Sequence, residues 1–298
     1  MGKKILVIGG AGFIGRHLVQ KISVLGNEVV VLDMAENPFE NKNIKFYKLD
    51  INDKEKFKEI FEKEKPSIVY HLAGAISLRT INHKDAPLYE SMDKIVGWTK
   101  IILEECKSAS IEKLIFFSSA AIYGDLKDMP IPTPESYFSP TSLYGMANAK
   151  IEEKIKNSGV LFVILRLANV YGPYQWETGI IPHTIINFLN GNKPVISGDG
   201  SQTRDFIYVD DVVKVAILAM DKTGIYNIGS GEEHSIKEIT ELIKKELKSD
   251  VEIYYNKDLN TGVQKNLLNI EKIKKEFNWQ PEIKIEDGLF KTIKSFKS

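Results

Sequence analysis

Three glycines at a fixed spacing give the first chemical clue in this sequence. The stretch Gly9-Gly10-Ala11-Gly12-Phe13-Ile14-Gly15 follows the apolar run Ile5-Leu6-Val7-Ile8 and opens a segment of helical period, with Gly9, Gly12 and Gly15 three residues apart. Glycines in such a turn let the backbone bend tightly, approach a pyrophosphate and pack helix on strand, with the phosphate facing the helix N-terminus. An ordinary Gly-rich strand-to-helix turn has the same spacing, so a second signal is needed. Asp33 supplies it, ending the next apolar run 18 residues after Gly15, where a carboxylate can accept a hydrogen bond from a ribose 2′-hydroxyl. The same carboxylate repels a 2′-phosphate, and Met34-Ala35-Glu36 bring no cation to neutralise one. Together the two signals read as a site for NAD in preference to NADP. Asp50-Ile51 has two open readings, an adenine-edge contact or a cap for the helix beginning near Asn52-Asp53.

A pyrophosphate turn needs a sheet behind it. Apolar, β-branched runs at 5–8, 29–32, 44–49, 68–72, 114–118 and 160–165 alternate with helix-period segments at 12–23, 54–64, 89–107 and 142–157. Strands buried on both faces read as continuous apolar runs, so the pattern predicts an α/β chain with a Rossmann-type doubly wound parallel sheet. Beyond Asn169 the texture changes to turns around 172–173, 191–194 and 198–200 and a Lys/Glu-rich helical segment at 235–248. The division expected is a dinucleotide-binding domain over 1–172, to which a segment near 205–228 returns, and a smaller substrate-binding lobe over 173–298.

Composition narrows the function classes. The 298 residues are 43% hydrophobic and 27% charged, with 40 basic residues balancing 40 acidic ones. Such a chain is neither disordered nor membrane-spanning, and it has no overall charge for holding nucleic acid or an anionic bilayer. The lone Cys106 cannot close an internal disulfide, and no Cys or His spacing suits a metal, so none is expected. The run after Lys3-Lys4 is too short for a secretion signal, and no apolar stretch nears the ~18 residues of a membrane span. A cytoplasmic location is the expectation.

The ordered motifs together resemble the NAD-dependent nucleotide-sugar epimerase/dehydratase group of the extended short-chain dehydrogenase/reductase superfamily, typified by UDP-glucose 4-epimerase. The resemblance covers almost the whole chain. Besides Gly9 to Gly15, it is carried by His71-Leu72-Ala73-Gly74, Ser118-Ser119-Ala120-Ala121-Ile122-Tyr123-Gly124, Ser142-Leu143-Tyr144-Gly145, Arg166-Leu167-Ala168-Asn169-Val170-Tyr171-Gly172-Pro173, Arg204-Asp205-Phe206-Ile207-Tyr208-Val209-Asp210-Asp211 and Tyr226-Asn227-Ile228-Gly229-Ser230-Gly231. It implies that Tyr144 is the base that removes a sugar hydroxyl proton while hydride moves to nicotinamide, and that Ser119 hydrogen-bonds the reacting oxygen. It also implies that Leu72, Ala73 and Gly74 line the cofactor, that Asn169 and Arg204 hold the diphosphate of a nucleoside diphosphate sugar, expected to be a UDP-sugar, in a cleft between the lobes, and that the protein is a homodimer. Taken singly, Tyr144 could be a packed core tyrosine, Ser119 a turn residue, and Arg204 the partner of Asp205 or Asp210.

Several departures from the group's pattern stand out. Its usual active-site Lys, four residues after the Tyr, is Asn148 here, and Lys150 lies roughly 200° further round a helix. Asn can hydrogen-bond but cannot lower a phenol's pKa by charge. Lys94, in Met92-Asp93-Lys94-Ile95-Val96-Gly97-Trp98-Thr99, has two readings: a cation returned from a neighbouring helix, or a solvated surface lysine. Near the C-terminus Leu259-Asn260-Thr261-Gly262-Val263-Gln264 lacks the Arg usual in a phosphate-binding loop. Ala120 and Ala121 stand where related dehydratases place carboxylates, which points to epimerisation over elimination. The reaction expected is NAD-dependent epimerisation of the UDP-glucose/UDP-galactose type through a 4-keto intermediate. The alternatives are a nucleotide-4-ketosugar reductase and a catalytically impaired NAD or nucleotide-sugar binding protein.

Overall fold

A computed structural model describes residues 2–74, 88–124, 129–177, 179–259 and 263–297, and the side chains of all of these except 88–92. The chain divides into two compact units. The first comprises Met1–Ile122, Ser142–Arg166 and Val213–Tyr226, and the second Tyr123–Thr141, Leu167–Val212 and Asn227–Ser298.

The first unit is built on the sheet that the apolar runs predict. Its strands are β1 (Lys4–Ile8), β2 (Glu28–Asp33), β3 (Ile44–Lys48), β4 (Ile68–His71), β5 (Lys113–Ser119), β6 (Phe162–Leu167) and, returning late in the chain, β10 (Gly224–Ile228), in the order β10-β6-β5-β4-β1-β2-β3. The ladders from β3 through β2, β1 and β4 to β5 are parallel. Helices α1 (Phe13–Val24), α2 (Lys54–Glu64), α3 (Leu88–Ser108) and α4 (Leu143–Lys156) connect them. This is a Rossmann-type α/β fold, and the strand order runs outward in both directions from the β1/β4 pair. At such a switch point the loops beyond the strands' carboxyl ends diverge and leave a crevice for a ligand.

Burial follows from the pattern. Leu6, Ile8, Val30, Leu32, Val69, Leu114 and Ile164 from the strands meet Phe57 and Phe61 of α2, Ile102 and Cys106 of α3 and Ile151 and Ile155 of α4 in one core. The late segment 213–226 is tied to this sheet by side chains from two central strands. The Tyr70 hydroxyl donates to the Ala216 carbonyl at 2.8 Å, and the Lys113 ammonium to the Met220 carbonyl at 2.7 Å.

The second unit is built on smaller sheets. Strands β7 (Asn169–Tyr171), β9 (Thr203–Tyr208) and β11 (Glu233–Ser235) form one in the order β11-β9-β7, while β8 (Val195–Ser197) pairs with β12 (Tyr254–Asn256). Helix α5 (Ile180–Leu189) packs on α6 (Ile236–Leu247). Buried Asp205 pins the turn after β10, accepting from the Ser230 amide and hydroxyl at 2.7 and 2.8 Å and from the amides of Gly231 and Leu268. Its carboxylate is thereby committed to backbone. No helix among the described residues is long and apolar enough to cross a membrane.

Candidate active site

The Gly-rich turn lies at the switch point. Gly9 has φ +84°, a left-handed backbone that disfavours any side chain, and a Cβ there would stand 2.7 Å from the Ala73 amide nitrogen, where β4 gives way to Leu72-Ala73-Gly74. A Cβ on Gly15 would lie 2.4 Å from the Gly9 carbonyl oxygen, so α1 presses against the turn only because both residues are glycine. Gly12 is the N-cap of α1, with no side chain satisfying the helix's first amides and no acid in the first turn. Amides that no side chain caps, the positive end of the helix dipole and a first turn without an acid of its own are what a pyrophosphate needs.

Asp33 closes this cradle. Its Oδ2 accepts from the Ala11 amide at 2.9 Å and its Oδ1 from the Ala35 amide at 3.0 Å, so the carboxylate is fixed beside the turn while each oxygen keeps a lone pair for a ribose hydroxyl. The structure adds a residue that reading the sequence locally passed over. Lys48 on β3 pairs in register with Asp33, and its ammonium forms an ion pair with Glu36. The cation nearest in register to the Asp33 carboxylate is therefore already matched by an anion. Asp50 does not cap α2: its Oδ1 accepts from the Asn52 amide at 2.9 Å and side chain at 2.8 Å, and the cap is Asp53, which accepts from the Lys56 amide.

Tyr144 comes from the first turn of α4, and three local features bring it against the end of β5. Ser142 caps the helix, its hydroxyl accepting from the Gly145 amide at 3.0 Å. Gly145 lets the helix approach the 3-10 turn Ala120–Tyr123, since a Cβ there would be 2.3 Å from the Ala121 carbonyl oxygen. Deeper along α4, buried Glu152 takes a two-pronged ion pair from Arg166 on β6, at 3.0 and 2.7 Å, and a hydrogen bond from Ser118 on β5 at 2.7 Å. That network locks helix to sheet one residue before Ser119, whose own hydroxyl accepts from the Ala121 amide at 3.2 Å.

Burial holds the Tyr144 hydroxyl above an ordinary phenol's value, and hydrogen bonding with the side chains of Asn148 and Ser119 pulls it back in part. Asn148 is itself buried, and its Nδ2 donates to the Tyr144 carbonyl oxygen at 2.9 Å. Lys94 does not take the place of the missing lysine. It is exposed on α3, its ammonium 5.5 Å from the centroid of the Trp98 ring, and that ring's Nε1 donates to Asn52 beside the β3 end. Residues four apart on a helix share a face, so the exposed Lys94 lies over Trp98, as the solvated-lysine reading expects.

In the second unit, Asn169 on β7 donates to the Asp205 carbonyl oxygen at 3.1 Å, and Arg204 on β9 donates to the Thr203 carbonyl oxygen at 2.8 Å. Of the C-terminal stretch compared with a phosphate-binding loop, Asn260, Thr261 and Gly262 lie outside the described residues. Among the described residues no three His, Cys, Asp or Glu side chains gather as a metal site. His71, which opens the motif His71-Leu72-Ala73-Gly74, ends β4 and is fully buried with Nε2 3.1 Å from the Thr99 hydroxyl on α3.

A Gly turn at the switch point with a carboxylate beside it, and a tyrosine and a serine together at the end of β5, are the arrangement that a nicotinamide-dependent enzyme of the short-chain dehydrogenase/reductase kind requires. Sequence and fold comparisons agree. Residues 5–229 match the NAD dependent epimerase/dehydratase family, and the chain belongs to it. A Methanocaldococcus jannaschii protein provisionally named UDP-glucose 4-epimerase is 36% identical over 99% of this chain and 98% of its own. The human dTDP-D-glucose 4,6-dehydratase is 31% identical over 99% of this chain and 90% of its own. The crystal structure of Thermotoga maritima UDP-glucose 4-epimerase with UDP-glucose superposes with a TM-score of 0.90 at 33% identity, covering 99% of this chain and 98% of that one. The chain is thus an NAD-dependent enzyme of a nucleotide-sugar family whose relatives include epimerases and dehydratases.

Proposed function

We propose that the protein is an NAD-dependent nucleotide-sugar 4-epimerase acting on UDP-glucose and UDP-galactose. Gly9, Gly12, Phe13, Ile14 and Gly15 would hold NAD, with Asp33 for the adenosine ribose, Asp50 and Ile51 for the adenine and Leu72, Ala73 and Gly74 alongside, and the cofactor would supply reversible hydride acceptance. Tyr144, as phenoxide, removes the proton of the sugar 4-hydroxyl, and Ser119 donates a hydrogen bond to the oxygen as it becomes a carbonyl. When hydride returns to the opposite face, Tyr144 gives the proton back. Asn169 and Arg204 hold the diphosphate, for which a guanidinium's permanent charge and forked donors are suited. Residues 1–172, with the segment near 205–228, serve the cofactor, and 173–298 mainly the sugar nucleotide. A cytoplasmic homodimer completes the reading, the dimer on family resemblance alone.

The observation that carries epimerisation over dehydration is the 3-10 turn after Ser119. It begins with Ala120 and Ala121, so neither of the two residues directly after the Ser carries a carboxyl group to assist elimination from the sugar's outer carbons. The test is NMR-monitored incubation with NAD and UDP-galactose. Appearance of UDP-glucose without net NADH is the expected result, and a dehydrated 4-keto-6-deoxy product, or no conversion of either sugar, would overturn it.

A further inference from the structure

Helix α3 meets the chain beyond the carboxyl ends of two strands, β4 and β3, that lie on either side of β1 and its Gly-rich turn. At the first, a Cβ on Gly74 would stand 2.7 Å from Ile95 Cγ2, so α3 lies directly on the segment Leu72-Ala73-Gly74. Three residues on, Trp98 reaches the turn after β3, its indole Nε1 donating to Asn52 Oδ1 at 3.1 Å. The indole ring is partly buried against the core, and the Lys94 ammonium, one helical turn earlier, lies 5.5 Å from its centroid. Asn52 passes the constraint on. Its Nδ2 donates to Asp50 Oδ1 at 2.8 Å, and its backbone amide donates to the same oxygen at 2.9 Å. An indole N–H can only donate and a carboxylate only accept, so the amide between them has one orientation. Both donors fall on Oδ1, and among the described residues no hydrogen bond reaches Asp50 Oδ2. The carboxylate is held from one side and keeps its other oxygen unused.

We propose that Trp98 and Asn52 are positioning residues for the cofactor's adenine: the relay from Trp98 through Asn52 to Asp50 presents Asp50 Oδ2 to the 6-amino group, and so makes the site select adenine over a purine that carries a carbonyl there. The proposal rests on the reading of Asp50 as the adenine-edge residue. A carboxylate oxygen accepts from an amino group and repels a carbonyl oxygen, so the fixed Oδ2 favours one base and disfavours the other. A side chain as open to solvent as that of Asp50 would otherwise lose rotamer freedom when the base binds, and the relay removes that loss in advance. Packing alone does not require an indole at position 98, since a phenyl ring would cover the same core, whereas the N–H that holds Asn52 is a property of Trp.

The test compares NAD with nicotinamide hypoxanthine dinucleotide, which has a carbonyl in place of the 6-amino group. Each is used to displace NADH from the full chain, with the loss of bound NADH fluorescence as the readout. The parent should hold NAD about tenfold or more tighter, the range of one hydrogen bond to a charged group. Trp98→Phe keeps a ring on the core and removes the donor, and Asn52→Ala breaks the relay at an exposed position. In both variants the preference for NAD should fall about threefold or more, while affinity for the hypoxanthine dinucleotide stays within about twofold of the parent's. A purely structural role for Trp98 and Asn52 would weaken both dinucleotides together, and an unchanged preference in the two variants overturns the relay while leaving Asp50 at the adenine. Equal affinity of the parent for the two dinucleotides overturns the adenine reading of Asp50 and the proposal with it.

Discussion

At the scale of single residues, His71 shows how a buried polar group writes itself into pH dependence. The Thr99 hydroxyl donates to the Ile95 carbonyl oxygen, so His71 Nε2 must carry the proton that Thr99 Oγ1 accepts, and Nδ1 is left a buried lone pair without a partner among the described residues. Complete desolvation pushes this imidazole down to about 3 from the 6.5 of a free histidine. The folded state therefore binds fewer protons than the unfolded one between those values, and stability present above about pH 6.5 is lost as pH falls towards 3. We expect urea unfolding to give a free energy about 2 kcal/mol lower at pH 5 than at pH 7 from this group alone. His71→Leu should flatten that difference. An equal slope in the variant would place the effect elsewhere.

At the scale of elements, α4 is the piece on which the site depends. Much of it is legible in the sequence: Ser142 is a good cap, Gly145 marks close approach, and the apolar residues recur at helical spacing. Its anchor is not legible. Ser118, Glu152 and Arg166 are far apart in the chain and of types usually found at the surface, and only the stacking of β5 and β6 under α4 brings them into one buried triad. Removing one member of such a pair leaves the other charge buried and alone, so Glu152→Ala should cost about 3–5 kcal/mol, read as a melting temperature lower by roughly 10 °C. The double variant Glu152→Met/Arg166→Met should recover most of that loss, because it removes both desolvated charges together. Failure of the double variant to recover would mean that the triad supports α4 through its hydrogen bonds to Ser118 and not through charge balance.

At the scale of the whole molecule, the two units predict separable binding. Arg204→Ala should weaken UDP binding by about tenfold to a hundredfold, the range of one lost charge-assisted contact, while NAD affinity stays within about twofold. Isothermal titration with each ligand in turn checks this, and parallel loss of NAD affinity would remove Arg204 from the sugar-nucleotide role. The central sheet and the NAD cradle were determined by the sequence itself, because strand burial on two faces and a Gly-Gly-Ala-Gly turn are local patterns that depend on residues near one another. So was the departure at Asn148, which is a matter of helical spacing from Tyr144. Only the tertiary structure decided that Lys94 turns to Trp98, that Lys48 answers Glu36 beside Asp33, that His71 is neutral, and that Asp50 leaves capping to Asp53. Each of those outcomes depends on which strand or helix lies alongside, and a charge or a lone pair acts through space on whatever the fold has brought within a few ångströms.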